Sequence, residues 1–154
     1  MPGTTDLLRE VPLFAGLSSD ELERVAELCR EKRFESGEHI FREGEPGNRL
    51  YVVVDGEVRI SRDIPGAGEE ALAILKRGAL FGEMAVFDRT TRSTDAISHG
   101  GTLVATIGRS DLEMLLDLDR DIAHKVLWSL VRLLSTRLRS ANDSMRSLLA
   151  MSMF

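Results

Sequence analysis

From Lys32 to Gly108 the apolar residues come as short extended stretches, each closed by turn-forming residues, and that alternation confines the middle of the chain to a β sandwich or barrel. The stretches are Phe34, Ile40 with Phe41, Leu50 to Val54, Val58 with Ile60, Ala71 to Leu75, Ala96 with Ile97, and Leu103 to Ile107. Ser36-Gly37, Glu45-Pro46-Gly47, Asp55-Gly56, Pro65-Gly66-Ala67-Gly68 and His99-Gly100-Gly101 separate them. The spacing predicts about eight strands. Asp55-Gly56, between LYVVV and EVRIS, reads as a two-residue hairpin turn.

Helices flank this region. Asp6 to Glu10 is a short helical piece, and Ser18 followed by Glu21 forms a capping-box signature that opens a second helix. Leu22, Val25, Ala26, Leu28 and Cys29 make its apolar face. Arg109 to Leu118 predicts another helix, with Ser110 as an early cap, and a long helix starts at Asp119. There Ile122, Val126, Leu130, Leu133, Leu134, Leu138, Ala141, Met145 and Leu148 follow one another at steps of mostly three or four, a coiled-coil-like stripe. A helix that long outreaches a small barrel, so its far half needs another surface. Pairing with the same helix of a second copy is the expected solution.

The chain of 154 residues is one domain of ordinary size, with the β body at about 32–108 and the C-terminal helices at about 109–149. With 43% hydrophobic and 29% charged residues, no long apolar run and no signal-type N-terminus, the expectation is a cytoplasmic protein without a membrane segment. A formal charge of −5 speaks against a surface adapted to nucleic acid. The lone Cys29 can form no internal disulfide and is read as a packing residue. His39, His99 and His124 lack metal-ligand spacing, so no metal site is expected, and neither a Gly-flanked nucleophilic serine nor a Walker-type loop is present. No catalytic machinery is visible, and no enzyme is expected.

The segment Phe81 to Ala96, FGEMAVFDRTTRSTDA, carries the most specific chemistry. Gly82 permits a tight turn that brings bare backbone amides against a ligand. Glu83 to Val86 fit one helical turn, whose free N–H groups favour an anion. Arg92, across a loop, offers a planar fork of donors to phosphate oxygens. Glu83 would repel a phosphate, so its useful role is to accept a hydrogen bond from a hydroxyl such as a ribose 2′-OH. One phosphate and a free 2′-hydroxyl on one compact ring system describe a 3′,5′-cyclic nucleotide.

Phe81-Gly82-Glu83, two mostly apolar residues, a loop, then Arg92-Ser93 resembles the phosphate-binding cassette of the cyclic-nucleotide-binding domain family, of the type found in catabolite activator protein and protein kinase A regulatory subunits. The resemblance spans roughly residues 7 to 149 and includes corner glycines at Gly37, Gly44, Gly47, Gly56 and Gly78. It implies a mainly β fold with flanking helices: an eight-stranded jelly-roll barrel, N-terminal helices in which Leu13, Phe14 and Leu17 pack on the barrel, and a long C-terminal helix. It implies a regulatory module that binds cAMP or cGMP and needs no catalytic cofactor. Gly82, Glu83, Met84, Ala85, Arg92, Ser93 and Thr94 would form the ligand site, with the purine against Val53 or Leu72. Arg137, Arg139 and Asn142 are further candidate contacts from the last helix.

The chain departs from the family pattern at Arg89-Thr90-Thr91, where a glycine-threonine-proline run is common, and at Asp95. Arg89 is expected to be a solvated loop residue. The arginines at 132, 137, 139 and 146 are read as a solvated helix face, and Trp128 as core or dimer interface. Relatives that regulate transcription carry a helix-turn-helix domain after the long helix, and this chain stops at Phe154. Direct DNA binding by the chain is therefore not expected, and a second copy and a protein partner are. Two other readings are a ligand-independent interaction module and the sensor part of a DNA-binding regulator.

Overall fold

A computed structural model describes residues Pro2 to Ser152. The elements are α1 (Pro2–Glu10), α2 (Ser19–Leu28), β1 (Arg30–Phe34), β2 (His39–Phe41), β3 (Arg49–Ile64), β4 (Gly68–Leu75), β5 (Leu80–Phe81), α3 (Glu83–Asp88), β6 (Asp95–Gly108), α4 (Arg109–Leu118) and α5 (Arg120–Ser152). The fold is mainly β with helices at both ends, as the sequence implied. Helix α1 begins four residues ahead of the expected Asp6, since a proline at the first helical position forfeits no hydrogen bond. The Ser18 and Glu21 capping box forms as read. Gly108, not Ser110, sits at the N-cap of α4.

Among the described residues the strands number six where about eight were expected, and two of the expected boundaries lie inside continuous strands. β3 and β6 pair antiparallel along most of their length, and the ladder shifts register around Val53 to Glu57. Asp55-Gly56 is therefore not a hairpin turn but a corner within β3. Gly56, with φ of 82°, passes so close to Gly101 that a Cβ would stand 2.2 Å from its carbonyl oxygen. A glycine at positive φ marks a bulge as readily as a tight turn, and only the partner strand decides which. The corner folds the sheet into two halves. One half joins β1, the C-terminal part of β6, the N-terminal part of β3 and β5; the other joins β2, the remaining parts of β6 and β3, and β4.

Two cores follow. The barrel interior holds Phe34, Phe41, Tyr51, Val53, Val58 and Phe81. The second lies between the barrel and the helices, where Leu13, Phe14 and Leu17 pack as expected against Leu50, Ile107, Leu112, Ile122 and Val126. Val86 of α3 belongs to this second core, an anchor of roughly 1.5–3 kcal/mol. Cys29 is half-buried beside α2, where burial raises its thiol to about 11.

Helix α5 has 33 residues and so extends about 50 Å. Ile122, Val126 and Leu130 are buried, whereas Leu138, Met145 and Leu148 are more than half exposed. The far half of the predicted stripe is thus left largely open to solvent. Among the described residues no helix is long and apolar enough to cross a membrane.

Candidate functional site

A cavity of about 440 Å³ opens between the barrel mouth and α5, and its lining includes all seven residues expected to hold the ligand: Gly82, Glu83, Met84, Ala85, Arg92, Ser93 and Thr94. Their convergence follows from local geometry. Gly82 adopts φ of 76° at the N-terminus of α3, a left-handed conformation that lets the chain turn from β5 into the helix. The loop after α3 is braced against the 44–46 segment, with the Gly44 amide donating to the Arg92 carbonyl at 2.9 Å and the Arg92 amide to that of Glu45 at 2.8 Å.

Arg92 is 4% exposed. Its Nη1 donates to the Gly82 carbonyl and its Nη2 to the Arg49 carbonyl, both at 2.7 Å, and the Nε has no partner. The guanidinium lies over Phe41, 4.2 Å from the ring centroid, and 5.8 Å from Tyr51, which stacks on Phe81. Burial pulls its pKa below the ordinary guanidinium value; the charge of Arg109 acts in the same direction, while Tyr51, Glu45 and Glu83 oppose it. Burial raises the Tyr51 phenol. Among the described residues no carboxylate forms an ion pair with Arg92. A buried cation held only by carbonyl dipoles and ring faces is an incomplete arrangement, and an anion would complete it.

Glu83 is 2% exposed and pairs with Arg137, which reaches down from α5 and also lines the cavity. Arg139 and Asn142, the other two contacts expected from that helix, are exposed and do not line it. Nor do Val53, which is buried in the barrel, and Leu72, which is exposed on β4; Ile60, Leu75 and Leu80 provide the apolar wall instead. Trp128 is neither core nor cavity wall: it is 52% exposed, with the Arg132 guanidinium 5.9 Å from its ring. Arg89 turns away from the cavity and bonds Glu113 on α4 at 2.8 Å, while Asp95 accepts from the Glu43 amide.

Sequence reasoning missed Phe41 and Tyr51, the aromatic seat of Arg92, and it missed Arg109. Nothing local distinguishes those two aromatics from core residues. Arg109 did carry a signal, because a cation at the first position of a helix opposes the helix dipole and calls for a tertiary reason.

The cyclic nucleotide-binding domain profile matches residues 31–119, more than half of the chain. The cyclic AMP receptor protein of Thermus thermophilus is 35% identical over 85% of this chain and 59% of its own length. The CRP-like cAMP-activated global transcriptional regulator of Mycobacterium tuberculosis is 28% identical over 94% of this chain and 62% of its own. The chain thus spans about three fifths of these relatives. Among solved structures, the N-terminal domain of a Streptomyces coelicolor transcriptional regulator superposes with a TM-score of 0.80 at 33% identity, covering 91% of this chain and 95% of that one. The regulatory domain of Toxoplasma gondii protein kinase A with cAMP superposes with a TM-score of 0.71 at 25% identity, covering 89% and 49%. Fold, cavity and sequence agree: the chain belongs to the cyclic nucleotide-binding domain family.

Proposed function

We propose that this chain is a non-catalytic cyclic-nucleotide sensor that prefers cAMP to cGMP and reports occupancy through the position of α5. The buried, unpaired guanidinium of Arg92 carries the reading. A cyclic phosphate entering the cavity takes donors from Arg92, from the amides following Gly82 and from the hydroxyls of Ser93 and Thr94. The ribose 2′-OH donates to Glu83. The purine lies against Ile60, Leu75 and Leu80. The preference for cAMP is supported by the relatives named for that nucleotide.

Glu83 has one carboxylate and two claimants, Arg137 in the structure described above and the sugar hydroxyl in the complex. Ligand binding therefore biases the helix that carries Arg137, which is the differential interaction a population shift requires. The far half of α5 provides the output surface. Leu127, Val131, Leu134, Leu138, Ala141, Met145 and Leu148 repeat at alternating steps of four and three, and this seam pairs with the same seam of a second copy. A protein partner reads the resulting helix geometry.

Titration calorimetry with cAMP, cGMP and a cyclic dinucleotide tests the proposal. Saturable binding of cAMP, tighter than of cGMP and lost in Arg92→Ala, is the expected result. Equal affinity in Arg92→Ala would remove the clamp from the mechanism.

A further inference from the structure

Arg109 makes no ion pair with any carboxylate among the described residues. It is the first residue of α4, the end of a helix where a positive charge is electrostatically disfavoured. Its Nη2 reaches out of α4 to two carbonyls at once, those of Gly47 and Ala85, the second at 3.2 Å. The Nε is buried without a partner. Ala85 lies in a helix of only six residues, so its carbonyl is among the last-turn acceptors that the helix cannot satisfy from within. Gly47 packs closely on the same residue, and a Cβ there would stand 2.1 Å from that of Ala85 and 3.3 Å from Cζ of Arg92.

Three segments thus converge on one guanidinium: the Pro46-Gly47 segment, α3 and the start of α4. Without Arg109 the Ala85 carbonyl loses a charge-assisted partner, and α3 is left to the packing of Val86 and Phe87 and to the Glu83–Arg137 pair at its head. One brace of α3 is then lost, which leaves the bond from Arg92 Nη1 to the Gly82 carbonyl to align the N-terminal amides with the guanidinium. We propose that Arg109 is a positioning residue for anion recognition: it touches no ligand, but it helps to set the pose of α3 and adds a second, half-buried positive charge behind the phosphate position. The proposal rests on the cyclic-nucleotide reading of the cavity. The proximity of the two guanidinia also appears in the lowered pKa of Arg92, to which Arg109 contributes after burial.

The experiment compares cAMP affinity, cAMP against 2′-deoxy-cAMP selectivity, and ligand-free thermal stability in the parent, Arg109→Met and Arg109→Lys. Met keeps the length and apolar bulk of the side chain without charge or donors; Lys keeps charge and donors without the fork. Arg109→Met is expected to weaken cAMP binding by about tenfold or more, the worth of one lost charge-assisted hydrogen bond. Selectivity against the 2′-deoxy analogue, which reads Glu83, is expected to stay unchanged, and Arg109→Lys to recover part of the affinity. A parent that binds no cyclic nucleotide would overturn both the site reading and this inference. A parent that binds, with Arg109→Met binding equally well, would overturn this inference alone. So would equal losses in both variants that track a fall in thermal midpoint, since that pattern describes a residue needed only for folding.

Discussion

Arg137 on α5 forms an ion pair with Glu83, whose side chain is 3% exposed at the floor of the ligand cavity. This contact ties the long helix to the head of α3, and it occupies the carboxylate assigned to the sugar. Removing Arg137 leaves a buried acid uncompensated. Because Arg137 itself is 45% exposed, the loss in ligand-free stability is expected to be about 1–2 kcal/mol, below that of a fully buried pair. Hydrogen exchange provides the mechanistic check. Arg137→Ala in the ligand-free state and cAMP in the parent should both raise deuterium uptake across residues 131–138. If saturating cAMP leaves that segment as protected as before, displacement of Arg137 is not how the signal leaves the pocket.

Gly82 stands where no other residue fits without rearrangement. Its φ of 76° is unfavourable for a side chain, and a Cβ would lie 2.7 Å from Nη1 of Arg92 and 3.3 Å from both Phe41 and Tyr51. Gly82→Ala should therefore cost about 1–2 kcal/mol of stability from the backbone alone. It should also push the guanidinium from its carbonyl seat and weaken cAMP binding by about tenfold or more. Denaturant titration and calorimetry measure the two effects separately, and unchanged affinity would mean that Arg92 does not act from this position.

What could be read in the sequence was local, and what could not depended on partners distant along the chain. Phe81-Gly82-Glu83 and Arg92-Ser93 are close enough in sequence for one turn and one loop to bring them together, and they do share one cavity. The capping box at Ser18 and the bounds of α4 are equally local, set by residues within a few positions. Asp55-Gly56 failed because its conformation depends on Gly100 and Gly101, more than forty residues away, which supply the facing half of the corner. Val53 and Leu72 fall outside the cavity wall for a related reason: a strand pattern gives alternation but not which face turns to the cavity until the register with the neighbouring strand, β6 for Val53 and β3 for Leu72, is known. The pairing of Arg137 with Glu83 was invisible because it joins the last helix to the cassette across the whole fold.

Glu21 links α2 to α5 through Lys125, with Nζ to Oε1 at 2.6 Å, while also completing the cap at Ser18. The hydrogen bond from Lys125, then that from the Ser18 amide, holds its carboxyl below the ordinary 4.5, against a smaller opposing effect of burial. A folded-state pKa below the unfolded one contributes stability that is complete above pH 4.5 and disappears as pH falls through the folded value. Glu21→Gln should be less stable than the parent at neutral pH by about 0.5–1 kcal/mol, since Lys125 is 41% exposed. The gap should close as the solution is acidified below pH 4.5. Chemical denaturation across that range tests the sign; a gap that widens in acid would contradict the linkage.

The strongest demand for a second copy comes from α5 itself. From Ser135 to Ser152 every described position is exposed, yet Leu138, Met145 and Leu148 stand 62–67% open to solvent on one heptad seam. A lone helical segment of that length is marginal in water, so the paired form has both burial and helix cooperativity in its favour. Ala141 on the same seam permits close approach of two backbones. The parent is therefore expected to run in light scattering at twice the 17.1 kDa chain mass. Leu138→Glu with Met145→Glu would place like charges across the seam and should give a monomer whose far α5 frays, seen as lost helical circular dichroism. The barrel should survive this change, because Leu138 and Met145 lie outside both buried cores. A double variant that stays dimeric would move the interface off this helix and leave the exposed seam to a different partner.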